Sequence, residues 1–95
     1  MKQEEKLRLV ELLLEAEQLA GQYTGGYSNR FLSAEEFHCA LKQSIQAFIA
    51  GDDSQIDNFW HWFAPTTSWD DFIKKDGMEL GNKIYDMVLK IQKNG

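Results

Sequence analysis

Apolar residues recur along this chain at intervals of three and four, the spacing of one face of an α-helix, and do not settle into the alternation of a strand. The first helix is predicted from about Lys2 to Ala20, ended by Gly21. Leu9, Leu12, Leu13, Ala16, Leu19, Ala20 and Tyr23 project onto one broad face, with Leu7, Val10 and Leu14 nearly opposite. Two apolar stripes exceed what a surface helix of a monomer requires. The helix is therefore either sandwiched centrally or meets a second chain through its minor stripe.

After the glycine-containing stretch 21–33, Ser33 and Glu36 have the spacing of a capping box. The helix they open gathers Ala34, Phe37, His38, Leu41, Ile45, Phe48 and Ile49 into a narrow arc, and Gly51 closes it as a left-handed cap. Asp52, Asp53 or Ser54 caps the third helix, in which Ile56, Phe59, Trp60 and Phe63 share one face. Trp62 falls at the edge of that face, about 60° away, while Asp57 and His61 point elsewhere. Pro65 marks the end.

Thr67 or Ser68 caps a fourth, short segment with Asp70 and Asp71 in its first turn and Trp69, Phe72 and Ile73 on its inner face. Continuing that helix would place Asp76 on the apolar side, so a break at Gly77 is expected. Asp76 then caps a last helix, with Glu79 at its capping-box position. There Leu80, Ile84, Met87 and Ile91 face inward, and Met78, Tyr85 and Leu89 lie roughly opposite. The fold class read from this pattern is all-α: a small helical bundle of four main helices plus one short helix, in a single domain over residues 1–95.

Composition supports a packed core, with 43% hydrophobic and 13% aromatic residues in 95. The single cysteine forms no internal disulfide, the N-terminus lacks the uninterrupted apolar run of a secretory signal, and no stretch approaches a membrane span. These features lead to the expectation of a cytoplasmic protein that does not enter membranes. Charge sharpens the picture more. Between Glu11 and Asp71, Arg30 and Lys42 stand against ten acidic residues, a local charge of −8 within a net −5. Such a surface repels nucleic acid, whose binding rests on neutralised phosphates, and steers a basic protein partner toward it.

Half of the twelve aromatic residues, including every tryptophan, lie between Asn58 and Phe72. Most are expected in the core, where bulky side chains are needed to fill a small bundle. Trp62, left half exposed by the projection, is instead a candidate contact residue, because tryptophans of this kind recur at interfaces. Met78, Tyr85 and Leu89 join it as apolar side chains that the core does not claim, and Asp52, Asp53 and Asp57 supply the charge. The paired aspartates at 52/53 and 70/71 are explained by capping and the helix dipole. Asp57 and His61 have the i, i+4 spacing that can share a metal ion, but His38 projects away from them, so neither metal nor cofactor is expected.

His38, an imidazole among apolar neighbours, is read as a satisfied core residue. Adjacent Cys39 diverges from it by about 100°, too far for local activation as a nucleophile, and is read as a small packing residue. The 21–33 loop lacks the features of a phosphate cradle; Tyr23, Tyr27 and Phe31 are expected to pin it over the bundle end. The chain is similar, in class only, to small acidic helical immunity proteins that block basic toxins, and no motif carries residues over from them.

The function expected is therefore a non-catalytic interaction module, an inhibitor, immunity-like or adaptor protein, with self-association through Leu7, Val10 and Leu14 as an added possibility. The competing class is a small-molecule or metal-binding protein or enzyme centred on His38 and the tryptophan cluster.

Overall fold

The computed structural model describes residues 2–26, 31–64 and 67–94, and among them there are helices and turns but no strand. The helices are α1 (Gln3–Ala20), α2 (Ala34–Ile49), α3 (Ile56–Phe63), the short α4 (Ser68–Ile73) and α5 (Met78–Asn94). Turns of 3-10 helix cover Asp53–Gln55 and Lys74–Gly77. The four longer helices and one short one are those that the apolar periodicity predicts.

Local chemistry sets the ends. Glu5 accepts a hydrogen bond from the Lys2 backbone N–H and so satisfies a donor at the start of α1. The Ser33 hydroxyl accepts from the Glu36 N–H, as a capping residue should. Gly51 sits at φ +116°, a backbone conformation costly for any other residue, and turns the chain out of α2. The Asp52 carboxylate then accepts from the Ser54 backbone N–H and hydroxyl and from the Gln55 amide, which winds the 3-10 turn leading into α3. The Thr67 hydroxyl, just before α4, donates back to the carbonyls of Trp62 and Ala64. Pro65, Tyr27 and the side chain of Asp76, each assigned a role by the sequence, fall outside the described residues and side chains.

Helix α1 packs against both α2 and α5, and α3 packs against α4 and α5. An ion pair between Lys6 and Asp53 and a contact between Glu17 and His38 tie opposite ends of the α1–α2 pair, which fixes them antiparallel. The core is the predicted inner face of α1 (Leu9, Leu12, Leu13, Ala16, Ala20) closed by Phe37, Leu41, Ile45 and Phe48 of α2. Phe59, Trp62 and Phe63 of α3, Trp69, Phe72 and Ile73 of α4, and Ile84, Val88 and Ile91 of α5 complete it.

Four expectations change here. Trp62 is 8% exposed and belongs to the core, whereas Trp60 is the half-buried one. The buried arc of α3 is centred on Phe59 and turned toward Phe31 and Phe37, whose rings meet Trp62 edge-on at 5.8 and 6.0 Å. Ile49 is exposed, because α2 is ending and the chain leaves the bundle at Gly51. Cys39 is exposed rather than packed. In α5, Val88 and Gly81 occupy buried positions, while Leu80 and Met87 are only partly covered.

The loop before α2 is held by a charge-assisted bond from the Gly25 N–H to the Glu35 carboxylate, at 2.7 Å. That bond, and next the N–H of Glu35 itself, hold the carboxyl below its ordinary value. A group whose pKa is lowered by folding adds stability above its unfolded pKa and loses it as the pH falls through the folded value. Glu35→Gln is therefore expected to lower the melting temperature modestly at neutral pH, with the gap to wild type closing in strong acid. Thermal melts followed across that range check it; a gap that persists at the acid end contradicts the linkage.

Candidate functional site

The residues proposed from sequence for partner contact do not form one surface. Asp52 and Asp53 stand at the turn between α2 and α3 and have local tasks. Asp52 is held below its ordinary pKa, first by the Ser54 hydroxyl and then by the Gln55 amide, and Asp53 pairs with Lys6 at 3.0 Å. Trp62 is inside. Met78, Tyr85 and Leu89 do share one stripe of α5, two turns and then one turn apart, with Met78 and Leu89 exposed and Tyr85 half buried.

Trp60 supplies what Trp62 does not. Its ring lies 6.3 Å from that of Tyr85, tilted by 45°, and 5.0 Å from His61. Phe63 meets Trp69, and Trp69 in turn lies against Gly81, so α3 and α5 run antiparallel beside each other. Leu89, one turn beyond Tyr85, therefore lies toward the start of α3, where Asp57 is exposed on the flank of Trp60 and His61. The result is a face of two half-buried aromatic rings, an exposed leucine and a carboxylate. Aromatic faces beside an acidic group suit a lysine or arginine side chain, through cation–π attraction and an ion pair.

A second apolar surface follows the seam between α1 and α2. Leu7 is 56% exposed, Leu14 44% and Ile49 52%, with Val10 partly buried between them. Leu7, Val10 and Ile49 line a hollow of about 440 Å³ with Gln3, Lys6 and Asp53. Lys6 also lies over the Phe48 ring, 4.8 Å from its centre.

His38 lies on that seam, not in the core. Its Nε2 is 3.1 Å from the Glu17 carboxylate, and both side chains are partly exposed. The hollows along the α1–α2 seam, between α2 and α3, and between α1 and α5 are lined without it. Asp57 and His61 are both exposed on α3. Among the described residues, no group of three or more histidine, cysteine, aspartate or glutamate side chains converges as a metal site.

Sequence reasoning missed one polar cluster. Gln55 accepts from the Ser44 hydroxyl at 2.6 Å and from the Asn58 amide at 3.0 Å, and it donates to Asp52 at 2.8 Å. It fastens α2 to the start of α3 beside a shallow groove floored by Ala40 and Ala47. Ser44, Gln55 and Asn58 are neutral and scattered in sequence, so only their meeting in space reveals them. No described helix is long and apolar enough to cross a membrane. Comparison with protein-family models, with curated proteins and with solved structures finds no match, so the reading of these faces rests on their geometry and chemistry alone.

Proposed function

We propose that the protein is a non-catalytic interaction module of the cytoplasm, an inhibitor, immunity-like or adaptor protein, that binds a basic protein partner through the α3–α5 face. One observation carries this reading: Trp60 and Tyr85 stand half buried against each other beside Leu89, with Asp57 on the same flank of α3. Rings held this way lose little freedom on binding and are typical anchors of interface hot spots. The long-range field of a chain with net charge −5 favours approach of a positive partner, and Asp57 gives that charge a local end point.

Trp60→Ala tests the reading because the ring is only partly covered, and its loss should cost the fold far less than loss of a core ring. Captured partners are expected to be basic, to dissociate as salt is raised, and to bind Trp60→Ala roughly tenfold or more weakly. Affinity capture with both proteins at low and high salt measures this. A set of partners indifferent to both salt and Trp60 would overturn the proposal, as would capture of none.

A further inference from the structure

We infer that, given the reading of the α3–α5 face as the site of a basic partner, the group it receives is an arginine side chain in preference to lysine. Trp60 and Tyr85 are half buried, with ring centres 6.3 Å apart and planes tilted by 45°. At that distance and tilt neither ring lies flat on the other, so aromatic surface is left for a third group. His61 meets Trp60 edge-on at 85° and, together with Tyr85, holds the indole in place.

Charge selects the class of occupant. Asp57 is exposed one turn before Trp60, a spacing that sets the two Cβ atoms roughly 5–6 Å apart. Asp86, also exposed, follows Tyr85 and precedes Leu89 by one turn. Glu11, Asp53 and Glu79 are each engaged by a lysine or arginine at 3.0 to 3.6 Å. Among the described residues no cation engages Asp57 or Asp86 in this way. The next lysine along the α5 stripe, Lys93, stands two turns past Tyr85, about 12 Å along the axis.

The shape of the site then favours one cation. A guanidinium is flat and weakly hydrated, so it can stack on a ring while its in-plane N–H groups reach past the ring edge. One arginine can therefore lie on Trp60 and donate two hydrogen bonds to Asp57, with its methylenes resting toward Leu89. An ammonium keeps its water tightly and must turn off the ring to meet the carboxylate. A closed aromatic cage would strip that water, but two rings at a rim leave the ion wet.

Heteronuclear NMR titration of the full chain with two capped peptides, Gly-Leu-Arg-Leu-Gly and Gly-Leu-Lys-Leu-Gly, is the test. Shifts are expected at the Trp60 indole and at Asp57, Tyr85 and Leu89, with the arginine peptide binding roughly fivefold or more tightly than the lysine peptide. Asp57→Asn, an isosteric change at an exposed position, is expected to bring the two peptides within about twofold of each other. Trp60→Leu keeps apolar cover over Tyr85 without an aromatic face, and is expected to weaken the arginine peptide about fivefold or more. Equal affinities for the two peptides would overturn the preference for arginine. Shifts centred elsewhere, or none with the arginine peptide at millimolar concentration, would overturn the site itself as an arginine receptor. Trp60-dependent capture of a basic partner alongside either result would leave the α3–α5 reading standing and place the failure in the choice of arginine.

Discussion

Trp69→Ala is expected to remove about 3–5 kcal/mol of folding free energy, a large share of what a domain of this size possesses. Trp69 is fully buried on a helix of only six residues and, with Phe72 and Ile73, anchors α4 to the core. Its ring meets Phe63 at 4.9 Å and Phe37 at 6.4 Å, and so connects α4 with α3 and α2. Its Nε1–H donates to the Gly77 carbonyl at 2.8 Å and ties α4 to the entry of α5. Alanine removes the packing, opens a cavity lined by rings too rigid to collapse, and leaves that carbonyl without its buried donor. Equilibrium denaturation followed by far-ultraviolet circular dichroism measures the loss. A cost below about 1 kcal/mol would mean that the cluster is not the packing centre the structure describes.

Much of this architecture is legible locally. Ser33 and Gly51 bound α2 because a hydroxyl cap and a left-handed glycine act through neighbouring backbone groups, which sequence order already brings together. The inner face of α1 is legible for a similar reason: a helix flanked on two sides buries a wide arc, and small errors in its centre do not change which residues are inside.

Helix α3 shows where this fails. Projection gives the angles among Ile56, Phe59, Trp60, Trp62 and Phe63, but not the directions in which neighbouring helices lie. Phe31 and Phe37, far away in sequence, turn the buried arc toward Trp62 and leave Trp60 at the rim against Tyr85. The candidate face was thus half visible. The α5 stripe follows from periodicity, but its aromatic partner depends on a contact that no local pattern encodes. His38 differs for the same reason: its apolar neighbours on α2 suggest burial, yet its ring turns along the seam to Glu17 of α1.

Gly81→Ala, a substitution that ordinarily helps a helix by about 0.8–1.0 kcal/mol, is expected to destabilise this one by about 1–3 kcal/mol net. Gly81 lies buried near the start of α5, and a Cβ built there falls 2.5 Å from both Cδ1 and Nε1 of Trp69. At Gly77, one turn earlier, an added Cβ would strike the six-membered ring of the same indole, 2.6 Å from its Cζ2, and would also meet Ile73. The two glycines therefore form the bed in which the ring lies. The indole cannot withdraw: its Nε1–H is engaged by the Gly77 carbonyl on one side, and Phe63 and Phe37 pack it on the others. A methyl at position 81 must push α5 outward or break that hydrogen bond, and either costs more than the propensity gain. The cause is isolated by repeating the change where the indole is gone. In a Trp69→Leu background, Gly81→Ala is expected to be neutral or stabilising by up to about 1 kcal/mol, so the cycle yields a coupling energy of about 1–4 kcal/mol. Chemical denaturation of the four proteins provides the measurement. An alanine at 81 that stabilises the wild-type chain would show that the Trp69–glycine contact does not set the spacing of α4 and α5.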